Sequence, residues 1–136
     1  MTVIPKVIRS KTIPGTRIYT GALSKKLVRL ETVGAKNLQI SMVIAEPSKS
    51  PHSWHTHEGT FIDGETRRKF PPNCEEFYFV LRGKGKLCWR IGAEENIEDV
   101  SEGDLIFFPA GVVEHQVINT STKQLVSLVI MAPPIP

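Results

Sequence analysis

Between Asn37 and Ala45 the chain alternates. Leu38, Ile40, Met42 and Ile44 fall on one face of an extended backbone, and Gln39, Ser41, Val43 and Ala45 on the other. A period of two predicts a half-buried strand. Short runs of β-prone residues recur downstream: Phe77–Leu81, Lys86–Ile91, Ile97–Val100, Asp104–Pro109, Val112–Ile118 and Gln124–Met131. Glycine, proline and asparagine separate them, and Arg82-Gly83-Lys84-Gly85 predicts a tight hairpin joining the first two. Towards the N-terminus, Val3–Ile8, Arg17–Ala22 and Leu27–Val33 are further candidate strands, and Leu23–Leu30 is the only plausible helical turn. The stretch Glu58–Asn73 carries Gly59, Gly64, Pro71 and Pro72 beside a charged run, which predicts an extended loop or a small hairpin. Strands spaced every eight to twelve residues or so indicate an all-β sandwich or barrel.

Composition changes this picture little. The 136 residues suit one domain with a core of its own, and 40% hydrophobic with 23% charged residues is ordinary for a globular chain. The net charge of +3 is mildly basic. Apart from Lys25-Lys26 and Arg67-Arg68-Lys69 the basic residues are dispersed, so no nucleic-acid partner is expected. The chain has no apolar run long enough to span a membrane and no signal-like segment at Met1–Ser10. Cys74 and Cys88 form no CxxC pair and read as free thiols in a reducing compartment, so the expected location is cytoplasmic.

The chemistry gathers at His52-Ser53-Trp54-His55-Thr56-His57. On a strand, His55 and His57 point to the same face, about 6–7 Å apart, where both can reach one metal ion. On a helix they would diverge by about 200°. Alone, the hexapeptide reads most simply as surface histidines in a polar loop; a β-rich scaffold changes that. His115 lies in another candidate strand, and Glu75 and Glu76 open the strand after the loop. Three imidazoles and a carboxylate suit Fe(II), Mn(II), Ni(II), Co(II) or Zn(II) better than Ca²⁺ or Mg²⁺.

With these residues in view the sequence resembles the cupin family, small jelly-roll barrels with two signature motifs. The first has His-x-His, a glutamate, and a glycine after six intervening residues; here it is matched by His55, His57, Glu76 and Gly83. The second is matched by Gly103, Pro109-Ala110-Gly111, His115 and Asn119. Motif one runs over about 49–83 with an insertion at 58–74, motif two over about 103–119, and residues 1–136 are expected to form a single domain. The match departs from the family pattern in three places. Lys49 stands where a glycine is expected, three residues rather than two separate Gly111 from His115, and a long insertion separates His57 from Glu76. The spacing to Gly83 favours Glu76 over its neighbour Glu75.

The resemblance implies a jelly-roll barrel of two antiparallel sheets. It also implies a divalent transition metal held by His55, His57, Glu76 and His115. A metal-dependent enzyme acting on a small polar molecule follows, of dioxygenase or sugar isomerase type, with Glu76 or Tyr78 handling a proton. The alternative is a non-catalytic binding or sensing module. His52 is expected to be a bystander, Trp54 to be core or to wall the site, the Phe107-Phe108 pair to be core or interface, and Cys74 and Cys88 to take no nucleophilic part. Arg67, Arg68 and Lys69 are placed to hold an anionic substrate if the insertion folds over the mouth. A homodimer is expected, pairing through barrel edges.

Overall fold

The alternating run near residue 40 is a strand, but its apolar set faces outward. The computed structural model describes residues 4–18, 20–58, 60–63 and 66–135. Within them lie β1 (Thr16–Arg17), β2 (Leu23–Val28), α1 (Leu30–Val33), β3 (Gln39–Ala45), β4 (His52–His57), β5 (Thr60–Asp63) and β6 (Thr66–Lys69). These are followed by β7 (Glu75–Arg82), β8 (Lys84–Ile91), β9 (Glu94–Ser101), β10 (Leu105–Phe108), β11 (Gly111–Ile118) and β12 (Leu125–Ala132). A six-stranded antiparallel sheet runs β1-β2-β3-β12-β7-β10, and a four-stranded one runs β4-β11-β8-β9. The two pack face to face around a core drawn from both, with Val43, Tyr78, Val80, Ile106 and Val129 meeting Val100 and Val117. This is the expected jelly roll. No described helix is long and apolar enough to cross a membrane.

Along β3 the buried residues are Gln39, Ser41, Val43 and Ala45. The narrow interior takes small and hydrogen-bonded side chains there. Gln39 donates to Met131 Sδ and accepts from the Ile135 amide at 2.9 Å, and Ser41 is bonded by Arg29. The apolar set faces out, and the register aligns it into rows across the sheet. Met42, Leu128, Phe79 and Leu105 form one row, and Ile40, Ile130, Phe77 and Phe107 the next. Leu105 and Phe107 are 62% and 50% exposed, and the Phe77 and Phe107 rings lie 5.2 Å apart.

Three local expectations are corrected. Leu23–Val28 is not helical but pairs with β3; the helix is the single turn after it, where the Arg29 amide donates to Thr32 Oγ1 and Gly34 closes at φ 76°. Residues 4–9 are not a strand, while Met1–Val3 lie outside the described residues. The Arg82–Gly85 corner does not close a hairpin, because β7 and β8 belong to different sheets. The true hairpin is β8–β9, turning at Gly92-Ala93. The insertion does form a small hairpin, β5 paired with β6.

The corner depends on lacking a side chain. Gly83 has φ 89°, and a Cβ on it would stand 2.4 Å from the Gln124 carbonyl oxygen. Gly83→Ala should therefore cost about 3 kcal/mol through left-handed strain plus a backbone clash. Gly103→Ala also sits at positive φ, but with no atom within 4 Å, and should cost about 1 kcal/mol. Thermal unfolding of both variants measures the difference; equal shifts would show that the corner relaxes freely.

Candidate metal centre

The site begins with the pairing of β4 and β11. His55 sits directly opposite His115, and His57 opposite Gly111. Strand parity puts His55, His57 and His115 on the inner face of the four-stranded sheet. Between these pairs β11 carries three residues and β4 one, so the register shifts by two and the sheet bulges there, in the stretch where motif two is longer than the family pattern. Glu76 comes from the facing sheet, on the inward side of β7 beside Phe108 of β10. Ligand atoms of His55, His57, Glu76 and His115 all lie within 4.8 Å of one another. His57 and His115 are each 4% exposed and Glu76 1%, whereas His55 is half-buried and marks the mouth. Glu75 faces out and is exposed, so Glu76 is the carboxylate brought to the cluster.

Each histidine is oriented from behind by a main-chain oxygen. His55 Nδ1 lies 2.7 Å from the Ser53 carbonyl, His115 Nδ1 3.0 Å from Val113, and His57 Nδ1 3.3 Å from Cys74. A carbonyl only accepts, so the proton belongs on each Nδ1 and the Nε2 lone pair is turned to the cluster. His57 Nε2 is 3.2 Å from Glu76 Oε1. Two acceptor atoms at that separation are stabilised by a cation between them. Three imidazole nitrogens and one carboxylate oxygen are a donor set for a borderline divalent metal, and the cluster fits one.

Aromatic side chains seal the sides. Phe70 is buried and stacks on His57 at 5.0 Å and on His55 at 6.0 Å. Phe108 lies 4.4 Å from His115 and 5.0 Å from Tyr78. Tyr78 shares the inward face with Glu76 but is 1% exposed and packed in the core. Trp54 points away from the site, on the outer face of the four-stranded sheet, with the Arg90 guanidinium 3.7 Å above its ring. Lys69 is exposed beside the site, while the side chains of His52, Arg67 and Arg68 lie outside the described residues. Cys74 is buried, and its thiol is pushed up to about 11, first by desolvation and then by the negative charges of Glu76 and Glu75. It is thus a poor nucleophile. Asn119, the last motif residue, is structural: its amide donates to the Ala45 and Lys123 carbonyls at 2.9 and 2.7 Å.

Sequence reasoning missed Phe70 and the Cys74 carbonyl. Phe70 directly follows the charged strand β6, where no hydrophobic periodicity marks it as inward. A main-chain acceptor leaves no trace in residue type.

The Cupin domain model matches residues 64–131, half of the chain. No curated protein sequence matches it. Among solved structures, a Thermotoga maritima protein described as a predicted oxalate decarboxylase superposes with a TM-score of 0.71 at 22% identity, covering 94% of this chain and 99% of its own. A polyketide cyclase from Streptomyces resistomycificus gives 0.68 at 18% identity, covering 98% and 82%. A Cupin 2 conserved barrel domain protein from Salinispora arenicola gives 0.62 at 18% identity, covering 97% and 90%. At these identities the likeness is one of fold.

His57→Ala should reduce bound transition metal at least tenfold while the far-ultraviolet circular dichroism stays native. Glu75→Ala should leave the metal content unchanged. Elemental analysis of the purified variants measures both, and unchanged metal in His57→Ala would remove that residue from the ligand set.

Proposed function

The chain belongs to the cupin family, and from that premise we propose a metal-dependent enzyme acting on a small molecule, with His55, His57, Glu76 and His115 as the ligands. The observation that carries this reading is the tethering of all three Nδ1 atoms to main-chain carbonyls, which commits three Nε2 lone pairs to the point where Glu76 arrives. A structural zinc site is closed and usually rich in cysteine; three histidines and one carboxylate at a half-exposed mouth leave positions for water or substrate. A divalent ion held there supplies Lewis acidity or redox chemistry, in line with the dioxygenase or isomerase classes.

The chain's own residues would do the rest. The main-chain carbonyls keep the imidazoles in one tautomer and one orientation. Phe70 and Phe108 exclude water from the sides. Glu76, almost wholly desolvated, is the group placed to hold or pass a proton. Tyr78 takes a supporting role through Phe108.

The free thiols Cys74 and Cys88 suit a reducing compartment, and the cytoplasm is the location we propose. We also propose that a second copy covers the outer apolar rows of the six-stranded sheet. The rows cross four strands, β3, β12, β7 and β10, about 4.8 Å apart, and leave Leu105 and Phe107 62% and 50% exposed. Pairing would be face to face, not through barrel edges.

Two measurements test these readings. In Co(II)-loaded protein the visible bands should shift when azide is added, because a position is open. Unchanged bands would mean a closed site and favour the non-catalytic binding module. Leu105→Glu, at an exposed position in the rows, should convert a dimer to a monomer in analytical ultracentrifugation; a monomeric native protein would end the pairing proposal.

A further inference from the structure

The two described openings beside the metal centre differ in character. On the His57 side lies a cavity of about 640 Å³ edged by Glu58, Lys69 and Asn73. On the His115 side lies one of about 330 Å³, walled by Leu87, Trp89 and Ile91 of β8, Val113 and His115 of β11, and Phe108 of β10. Phe107 and Pro109 complete it, so no charged side chain lines it and its one titratable group is His115. His115, one of the four clustered residues, stands in the wall of this cavity, with the Phe108 ring 4.4 Å from it.

We propose that this cavity is the substrate-body subsite. The ligand it takes is an uncharged aromatic or alicyclic molecule of one or two rings, with an oxygen donor at the end that reaches the four-residue cluster. The donor half rests on the metal-site reading given above; the body half does not.

Size and polarity lead to the same class. About 330 Å³ is near the lower end of the roughly 300–1,000 Å³ typical of small-molecule sites, so the occupant is compact. Sugars and dicarboxylates would bury hydroxyl or carboxylate groups against Leu87, Ile91, Val113 and Phe108, none of which carries a side-chain donor or acceptor. Each buried group left without a partner lowers affinity by roughly tenfold or more. An aromatic ring meets the opposite environment. Trp89 and Phe108 offer ring faces and edges for offset or T-shaped contact, and the aliphatic walls exclude water. The expectation of a small polar substrate is therefore narrowed to a molecule polar at one end.

The test uses 2-naphthol as the probe and succinate as the polar comparison. Both are titrated into metal-loaded and chelator-stripped protein, with binding read by calorimetry and by tryptophan fluorescence in a Trp54→Phe background, where Trp89 is the reporter. The expected result is 2-naphthol binding to both forms, at least tenfold tighter to the loaded one, with succinate at least a hundredfold weaker. Ile91 is 60% exposed at the rim, so Ile91→Glu should keep the fold and the metal content yet weaken 2-naphthol at least tenfold, while Ile91→Leu restores it. Succinate binding as well as 2-naphthol, or an Ile91→Glu affinity equal to the native one, would overturn the subsite. Equal affinity with and without metal would overturn the donor half. Elemental analysis of the loaded protein bears on the metal reading alone, so the two failures are told apart.

Discussion

The pairing of β4 with β11 is the constraint on which the site depends. It sets His55 against His115 and leaves His57 one pleat further along the same face. A slip by one residue in either strand would turn those imidazoles to the outer face, where Trp54 and Arg90 now stand. Strong register specification is expected where one face is buried, and Val117 and the core beneath it provide it. The main-chain carbonyls of Ser53 and Val113, each two residues before the histidine it holds, then come from the same strands. One ladder of hydrogen bonds thus delivers three side chains and two of their orienting acceptors together. The opposite sheet contributes Glu76 and, just ahead of it, the Cys74 carbonyl.

Much of this was legible in the chain. His-x-His is a chemical motif only on a strand, and the strand-and-turn rhythm downstream supplied the scaffold that made it one. The six residues between Glu76 and Gly83 singled out, across a long insertion, the carboxylate that the fold brings to the three histidines. The reason is now physical: Gly83 is the corner at which the chain leaves one sheet for the other, so the glutamate is placed by counting back from a fixed bend.

What was not legible was non-local. Phe77–Leu81 and Lys86–Ile91 read as a hairpin because adjacent strands with a glycine turn usually are one, but β7 pairs with the distant β12 and β10, and β8 with β11 on one side and with the strand after it, β9, on the other. Leu23–Val28 has the composition of a weak helix and becomes a strand because β3 offers it an edge. The β3 alternation gave the period correctly and left open which face is inside. The interior is narrow, so small and hydrogen-bonded residues go in, and the larger aliphatics are left to build the outer rows.

The insertion between His57 and Glu76 has its ends tied at the site. Its first anchor is His57, paired within β4 and β11; its last is Phe70, stacked on His57 at 5.0 Å. The β5–β6 hairpin hangs between two points that already touch. Lengthening a loop whose ends are pinned costs little, about 0.6 kcal/mol for each doubling. The hairpin is therefore an exchangeable cassette. It can be lengthened, shortened or replaced in the course of descent while the four ligands keep their places, which lets one barrel carry different rims around an unchanged centre.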